Sequence, residues 1–195
     1  MRKLLNVFVL LIISFFSSSF SQDGKWIIDP QSRLTIHGST NVNTFKCNFD
    51  CLDNADTLAY SQDIALSEIR FTKSRMIIPI RSFDCGNKQI TKDFWSTLKS
   101  EKYPHLNIVF KSLKSSSIKD NSYIDGVMDI TLAGTTKRYT VRYLARTPNK
   151  STLLLTGKQV VNFSDFNLDP PQKMMGLIQV QECLDVEFNL TLRSI

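Results

Sequence analysis

The sequence has little of what enzymes and metal sites are built from. It contains two histidines, His37 and His105, and neither stands in an H-x-x-x-H or H-E-x-x-H spacing. It has no G-x-S-x-G motif, phosphate-binding loop or dinucleotide fingerprint. His37 alternates out of phase with its apolar neighbours and His105 starts a strand, so both are predicted to face solvent. The sequence therefore predicts a protein that is not an enzyme and requires no cofactor.

Metal-binding cysteine spacing is also missing. The four cysteines, Cys47, Cys51, Cys85 and Cys183, include no C-x-x-C pair, so a zinc site is a weaker alternative to disulfide bonds. Cys47 and Cys51 share an apparent strand and lie too far apart for a direct bridge unless the strand turns between them. We therefore expect each to pair with a distant cysteine, Cys85 or Cys183. The sequence alone does not choose among the pairings.

Long runs of like charge are missing as well. The basic residues are scattered with no run of five, which argues against a nucleic-acid-binding tract. Without Arg2 and Lys3, 22 basic side chains remain against 18 acidic ones, a net charge of +4. This mild basicity allows a transient contact with an anionic membrane surface, and no nucleic-acid partner is expected.

The N-terminus lacks an apolar run long enough to span a membrane. The run from Leu4 to Phe16 is about 13 residues long, whereas a spanning helix needs roughly 20. Arg2 and Lys3 precede this run, and small residues from Ser17 to Ser21 follow it, an arrangement typical of a secretory signal peptide. An uncleaved anchor is the alternative, and a lipid anchor is not expected because no cysteine follows the cut.

We expect cleavage after Ser21. Residues 1–21 are then a signal peptide, residues 22–195 are a single domain, and the mature protein is periplasmic or secreted, where disulfides persist.

Apolar and polar residues alternate through most of the mature chain, as they do in half-buried β-strands. In one clear example, Met128, Ile130 and Leu132 share a face opposite Asp129 and Thr131. Turn signals separate such segments at intervals of about ten residues. The pattern predicts an all-β antiparallel sandwich or barrel, and the absence of a βαβ rhythm excludes a doubly wound sheet.

One segment breaks this pattern and predicts a helix. Ile90, Phe94 and Leu98 fall at i, i+4 and i+8, with Trp95 beside them, so one face is apolar. Pro104 is expected to stop the helix, because the residue before a proline is pushed out of the helical region. We expect the helix to lie across the open mouth of a barrel.

Four motifs, taken in order, resemble the YceI-like domain family. KWIIDPQSRLTIHGS at Lys25–Ser39 resembles the opening of the family, and Asp84–Pro104, with DCGN, the helix and KYP, resembles its central segment. Gly126–Lys137 resembles the G-x-L-x-I-x-G-x-T-K hairpin, and SDFNLDPP with the later GLI, in Ser164–Ile178, resembles the DFxIxPP…G signature. The resemblance covers the chain from about Lys25 to Arg193.

The resemblance implies an extended, eight-stranded, lipocalin-like antiparallel barrel, and the amphipathic helix is expected to cap one end of it. It also implies that the barrel holds a long polyisoprenoid chain, free or attached to a quinone. The sequence departs from the family at Asn167, where a glycine is frequent, although asparagine tolerates a positive φ better than most residues. Asp165 is predicted to stabilise a turn, with a polar contact in the barrel mouth as the alternative.

The predicted ligand site is an apolar tunnel inside the barrel. Flexible methionines suit an irregular lipid tail. The predicted lining residues are Met76, Ile78, Ile80, Phe94, Trp95, Leu98, Leu106, Ile108, Phe110, Met128, Ile130, Leu132, Phe166, Met174, Met175, Val186 and Phe188.

Three functional hypotheses follow from these patterns and from the resemblance, and the lipid in the first of them is implied by the resemblance. The first is a secreted or periplasmic carrier of a polyisoprenoid, an isoprenoid quinone or a similar long-chain lipid. The second is a filled barrel that acts as a stress-response or protein-interaction module, and the third is an enzyme that uses the pocket. The sequence identifies neither the lipid head group nor the donor and acceptor membranes, and it leaves open whether a homodimer forms.

The signal peptide yields a direct test. Exported protein should begin near Gln22, as measured by intact mass or N-terminal sequencing. A mature mass that still includes Arg2 and Lys3 would contradict both the export and the disulfide predictions.

Overall fold

The computed structural model describes residues 21–50, 56–63, 65–114 and 118–195. The predicted signal peptide, apart from Ser21, lies outside the described residues. The described strands are β1 (Ser21–Ile28), β2 (Arg33–Ser39), β3 (Thr44–Phe49), β4 (Thr57–Asp63), β5 (Glu68–Lys73), β6 (Arg75–Pro79), β7 (His105–Lys114), β8 (Ser122–Leu132), β9 (Thr135–Asn149), β10 (Thr152–Asn162), β11 (Gln172–Lys173), β12 (Ile178–Gln179) and β13 (Cys183–Ser194). Between β6 and β7 lie a 3-10 turn (Ile80–Ser82) and helix α1 (Lys88–Thr97), and a second 3-10 turn (Phe163–Phe166) follows β10.

Eight strands hydrogen-bond to their neighbours in a closed antiparallel ring. The order is β1, β4, β5, β7, β8, β9, β10 and β13. The ring closes because β13 also pairs with β1, where Ile28 lies opposite Leu192. The other half of β13 pairs with β2, which in turn pairs with β3, and β6 pairs with the first half of β7. The predicted eight-stranded barrel is confirmed.

Alternation along the strands sorts side chains between the barrel interior and the outside. In β8, Met128 and Ile130 are buried, whereas Asp129 lies outside and accepts hydrogen bonds from Nε and Nη2 of Arg138 at 2.7 and 3.0 Å. The bond from Arg138 holds the pKa of Asp129 below its usual value. A register slip of one residue would bring such charges inside the barrel, so the alternation fixes the strand pairing.

Helix α1 begins with a side-chain cap. The side-chain oxygen of Asn87 accepts hydrogen bonds from the backbone N–H groups of Gln89 and Ile90, at 2.8 and 3.1 Å. These bonds satisfy two of the N–H groups that have no partner within the helix.

The helix ends before Pro104, so the prediction that proline stops it is wrong. Lys99 adopts a left-handed conformation with φ of 54°, and the N–H of Ser100 donates to the carbonyl of Trp95 at 3.0 Å. This is a Schellman-type ending, which satisfies the last carbonyls and turns the chain away from the helix axis.

The buried face of α1 differs from the predicted one by one position. Phe94 and Leu98 are buried as predicted, but Ile90 is 38% exposed and Thr91 is buried in its place. The Thr91 hydroxyl accepts a hydrogen bond from the N–H of Cys85 at 3.0 Å, so its burial leaves no polar group unbonded.

A disulfide joins Cys47 in β3 to Cys85 in the segment before α1. Beside it, the backbones of Asn48 and Asp84 exchange hydrogen bonds of 2.8 and 3.0 Å. The predicted pairing with a distant cysteine is confirmed for Cys47. Cys183 is exposed with a free thiol, whereas Cys51 lies outside the described residues.

Two kinds of feature are missing from the described residues. They contain no group of three or more metal-ligating side chains placed to hold an ion. None of their helices combines the length and the apolar character needed to cross a membrane.

We expect the Cys47–Cys85 bond to stabilise the fold by restricting the unfolded chain. Cys85→Ser and Cys47→Ser should each reduce the free energy of unfolding by about 2–4 kcal/mol. Cys183→Ser is the matched control and should leave it unchanged. Denaturant unfolding of the three variants measures this, and four reactive thiols in non-reduced, denatured wild-type protein would contradict the bond.

Candidate functional site

Four connections between strands meet at one end of the barrel. They are residues 40–43 between β2 and β3, residues 80–104 containing α1, the turn at residues 133–134, and residues 163–182 between β10 and β13. We call residues 163–182 the crossover segment. The crossover segment contacts the connection that contains α1, because the carbonyl of Asn167 accepts a hydrogen bond from Lys99 Nζ at 3.4 Å.

A mainly apolar cleft of about 310 Å³ opens among these connections, and we call it the mouth cleft. Its volume lies at the lower end of the range of small-molecule sites, about 300–1,000 Å³. Its apolar walls are formed by Val42, Phe45, Ile90, Phe94, Phe163, Pro171, Ile178, Val180 and Leu184. Thr40, Asn43, Thr44, Asp93, Thr97 and Lys173 supply the polar part of its surface.

The β11–β12 hairpin forms one wall of the mouth cleft and is fastened on two sides. Lys173 Nζ forms an ion pair with Asp93 Oδ1 of α1 at 2.8 Å. On the other side, Asn41 donates from Nδ2 to the carbonyl of Leu177 at 2.9 Å and accepts from the N–H of Gln179 at 3.0 Å. These polar contacts hold the hairpin across the barrel end.

The tip of this hairpin presents apolar side chains to solvent. Met174, Met175 and Leu177 are exposed, and Met174, Met175 and Gly176 all have positive φ values. Met174 and Met175, which the sequence predicted in the tunnel, therefore lie outside the barrel in this structure. The hairpin pairs with itself and not with the barrel strands, which separates its side chains from the interior.

Asp165 ties the crossover segment to β9. Its Oδ2 accepts hydrogen bonds from the Tyr139 hydroxyl at 2.9 Å and the N–H of Asn162 at 3.2 Å, and its Oδ1 pairs with Lys137 Nζ at 3.0 Å. Burial opposes ionisation of Asp165, but these bonds together lower its pKa below the usual value. Asp165 thus stabilises the turn, as predicted, and also makes a polar contact at the barrel mouth.

Asn167 follows this turn in the left-handed region, with φ of 53°. The side chain donates from Nδ2 to the Thr135 hydroxyl at 3.1 Å. The replacement of the family's frequent glycine is therefore accommodated, because asparagine tolerates this conformation and here gains a hydrogen bond.

Below the mouth cleft, side chains fill the barrel interior. A small, mostly enclosed cavity there measures about 10 Å³, and we call it the enclosed cavity; Phe110, Met128 and Tyr143 are among its lining residues. Of the predicted tunnel residues, those that are buried are Met76, Ile78, Ile80, Phe94, Leu98, Leu106, Ile108, Phe110, Met128, Ile130, Phe166, Val186 and Phe188. Trp95 and Leu132 are partly buried. Ligand contact by any of them stays a prediction.

Some residues of the mouth cleft were not predicted from the sequence. Leu184 continues the alternation of Val186 and Phe188 toward the start of β13, so a longer reading of that strand would have found it. Phe45 and Val180 come from short segments far apart in the chain, and no periodic signal connects them.

Comparison with known proteins gives the family of this fold. A profile of the YceI-like domain matches residues 58–192. Among curated protein sequences, no relative matches the chain.

Similar solved structures include three proteins from different organisms. A polyisoprenoid binding domain from Saccharophagus degradans, implicated in plant cell wall breakdown, has a TM-score of 0.61 at 10% identity, covering 87% of this chain and 98% of that one. BcnA from Burkholderia cenocepacia has a TM-score of 0.58 at 18% identity, covering 84% and 98%. The YceI protein of Campylobacter jejuni has a TM-score of 0.53 at 16% identity, covering 71% and 80%. At these identities the likeness establishes a shared fold.

The contacts of Asp165 predict a pH-dependent contribution to stability. Asp165→Asn should reduce the free energy of unfolding near neutral pH by about 1–3 kcal/mol, because it weakens charge-assisted hydrogen bonds. The folded-state pKa is lowered, so this contribution is present above about pH 4 and is lost as the pH falls through the lower folded value.

Denaturant unfolding at neutral pH and at about pH 3 measures this difference. The gap between wild type and Asp165→Asn should narrow on acidification, and Asp169→Asn, at an exposed site nearby, is the control. A gap that stays constant with pH would contradict the assignment.

Proposed function

This chain belongs to the YceI-like domain family, and from that premise we propose that it is an exported carrier of a long-chain polyisoprenoid lipid, free or attached to a quinone. The fold is related to that of a polyisoprenoid binding domain, which supports a lipid-binding barrel. The observation that carries the proposal is the mouth cleft, an apolar opening whose walls continue into the buried core of a closed barrel.

The lipid chain lies in the mouth cleft and extends into the barrel. Burying one isoprene unit contributes roughly 2–3 kcal/mol by area, so a long tail needs few polar contacts. Because the enclosed cavity is only about 10 Å³, loading requires side chains to move aside. Met76 and Met128 suit this role, since an unbranched thioether side chain adapts to irregular neighbours.

We also assign the carrier to an oxidising compartment. The Cys47–Cys85 bond is typical of exported proteins. Together with the N-terminal signal pattern, it supports a periplasmic or secreted protein in which residues 22–195 act as one domain. The exposed apolar hairpin tip is the surface proposed for transient contact with a membrane.

A filled barrel that binds no lipid is the second candidate. The small enclosed cavity favours it, since a solid core needs no ligand for its stability. Such a barrel would act through its surface as a stress-response or protein-interaction module.

Extraction of natively exported protein with organic solvent, followed by mass spectrometry, separates the two candidates. A carrier should release a long-chain isoprenoid in near-stoichiometric amount. Protein that releases no lipid, and takes none up from isoprenoid-containing vesicles, would overturn the carrier proposal in favour of the solid barrel.

A matched pair of tryptophan variants tests the mouth cleft as the binding site. Val180→Trp should fill the cleft and reduce bound lipid about tenfold, because Val180 forms part of its wall. Val160→Trp, the same change on the exposed face of β10, should leave bound lipid unchanged. Equal lipid content in the two folded variants would contradict the assignment of the cleft.

Substitution inside the barrel tests the path of the lipid chain. Met128→Trp and Ile130→Trp should reduce bound lipid while the barrel still folds, and overpacking should lower stability by about 1–3 kcal/mol. Lipid content and melting temperature are measured on the same samples. A lower melting temperature with unchanged lipid content would place the ligand outside the lumen.

A further inference from the structure

One polar group inside the barrel has no partner. Tyr143, in the middle of β9, is 1% exposed, and its hydroxyl has no hydrogen-bonding partner among the described residues. An unbonded buried hydroxyl destabilises a folded protein, and native structures contain few of them. A phenylalanine would fill the same space without this penalty.

The neighbouring strands are shaped to hold the Tyr143 ring. Gly126 in β8 and Gly157 in β10 flank it, and a Cβ atom added at either position would lie 2.7 or 2.6 Å from the ring. Glycine inside a strand weakens it and often marks a close approach by another group. The Phe188 ring packs against the Tyr143 ring in an edge-to-face arrangement, with the two ring centroids 6.4 Å apart. Three adjacent strands and β13 therefore fix where the hydroxyl points.

The surroundings of the hydroxyl are almost entirely apolar. Tyr143 lines the enclosed cavity of about 10 Å³ together with Met128, Leu155 and Leu190. The hydroxyl of Ser112, a second polar side chain on this wall, hydrogen-bonds to Glu68. Among the side chains that line this cavity, a water molecule beside Tyr143 would find only the hydroxyls of Tyr143 and Ser112 as partners, whereas buried waters make about three hydrogen bonds. The group that suits this position is an apolar molecule with a single acceptor.

The phenol also keeps its proton. Burial raises the pKa of Tyr143 well above its usual value, because the charged form is disfavoured in an apolar interior. The hydroxyl is therefore available as a donor throughout the physiological pH range.

We propose that the Tyr143 hydroxyl is a polar anchor in the lipid site and donates a hydrogen bond to an oxygen atom at the buried end of the ligand. The ligand class is a long apolar chain that carries one oxygen acceptor, such as a carbonyl, hydroxyl or ether group. This inference rests on the proposed lipid-binding function and adds to it the chemistry of the buried end. A pure hydrocarbon leaves the hydroxyl unbonded and is the weaker ligand.

Two matched probes and one substitution test the anchor. The probes are farnesylacetone, an isoprenoid ketone that only accepts hydrogen bonds, and the hydrocarbon in which a methylene group replaces its carbonyl. Tyr143→Phe should weaken ketone binding about five- to tenfold, the loss expected for one buried hydrogen bond, and leave hydrocarbon binding unchanged. Competition against a fluorescent fatty-chain probe measures both affinities. Tyr123→Phe, which removes an exposed hydroxyl on β8, is the control.

A ligand-free measurement supplies a second readout. Tyr143→Phe removes an unbonded hydroxyl, so its melting temperature should rise by about 2–4 °C or more. Tyr139→Phe removes a hydroxyl that is hydrogen-bonded to Asp165, so this variant should have a lower melting temperature than the wild type.

The outcomes separate the anchor from lipid binding itself. If wild-type protein binds both probes and Tyr143→Phe changes neither affinity, the anchor is wrong and lipid binding stands. If wild-type protein binds neither probe, the proposed function fails and the anchor fails with it. Equal losses for ketone and hydrocarbon would show a packing role and would also overturn the anchor.

Discussion

The seam between β1 and β13 is the interaction on which the rest of the structure depends. Three residue pairs, from Trp26 opposite Ser194 to Ile28 opposite Leu192, turn an open sheet into a ring. Beside the seam, Arg193 Nε pairs with the buried carboxylate of Asp29 at 2.6 Å. Closure satisfies the edge groups that an open sheet would leave unpaired. It also encloses the interior faces of all eight strands, which makes the interior apolar and the cost of an unbonded polar group high.

Two tyrosines on β9 differ in whether their buried hydroxyls have a hydrogen-bonding partner, and this difference separates a structural group from a candidate binding group. Tyr139 and Tyr143 lie on the same face of one strand, and both are buried. Near the mouth, Tyr139 donates to Asp165, which fastens the crossover segment. Deeper in the barrel, Tyr143 is held between two glycines and has no such partner among the described residues. A tyrosine therefore stabilises the fold at position 139, whereas the tyrosine at position 143 has a hydroxyl donor that no described residue accepts.

Sequence periodicity predicts the barrel well because each strand has one buried face. Met128 and Asp129 fall on opposite sides of β8, as their alternation indicates. Periodicity fails where the backbone turns for local reasons, since nothing in a lysine at position 99 signals a left-handed residue that ends α1. The mouth cleft is harder still to predict from the sequence, because Phe45, Phe94 and Val180 come together only in the tertiary structure. Glycines inside strands were a usable signal, since Gly126 and Gly157 mark the position of a neighbouring ring.

A filled barrel can carry a lipid only if the free energy lost when side chains give up their contacts is nearly equal to the free energy gained from contacts with the lipid. The disulfide from Cys47 to Cys85 anchors one side of the mouth covalently, so we expect that side to keep its shape if the barrel loads a lipid as proposed. The hairpin wall is held by hydrogen bonds and the ion pair of Lys173 with Asp93, which lies at the surface, where such pairs contribute about 0–1 kcal/mol. We therefore expect the hairpin to be the wall that moves most easily. Under the proposed function, we expect opening there to expose the apolar cleft beside Met174 and Met175, so that transfer of a lipid chain begins at the end of the barrel where apolar surface is already exposed.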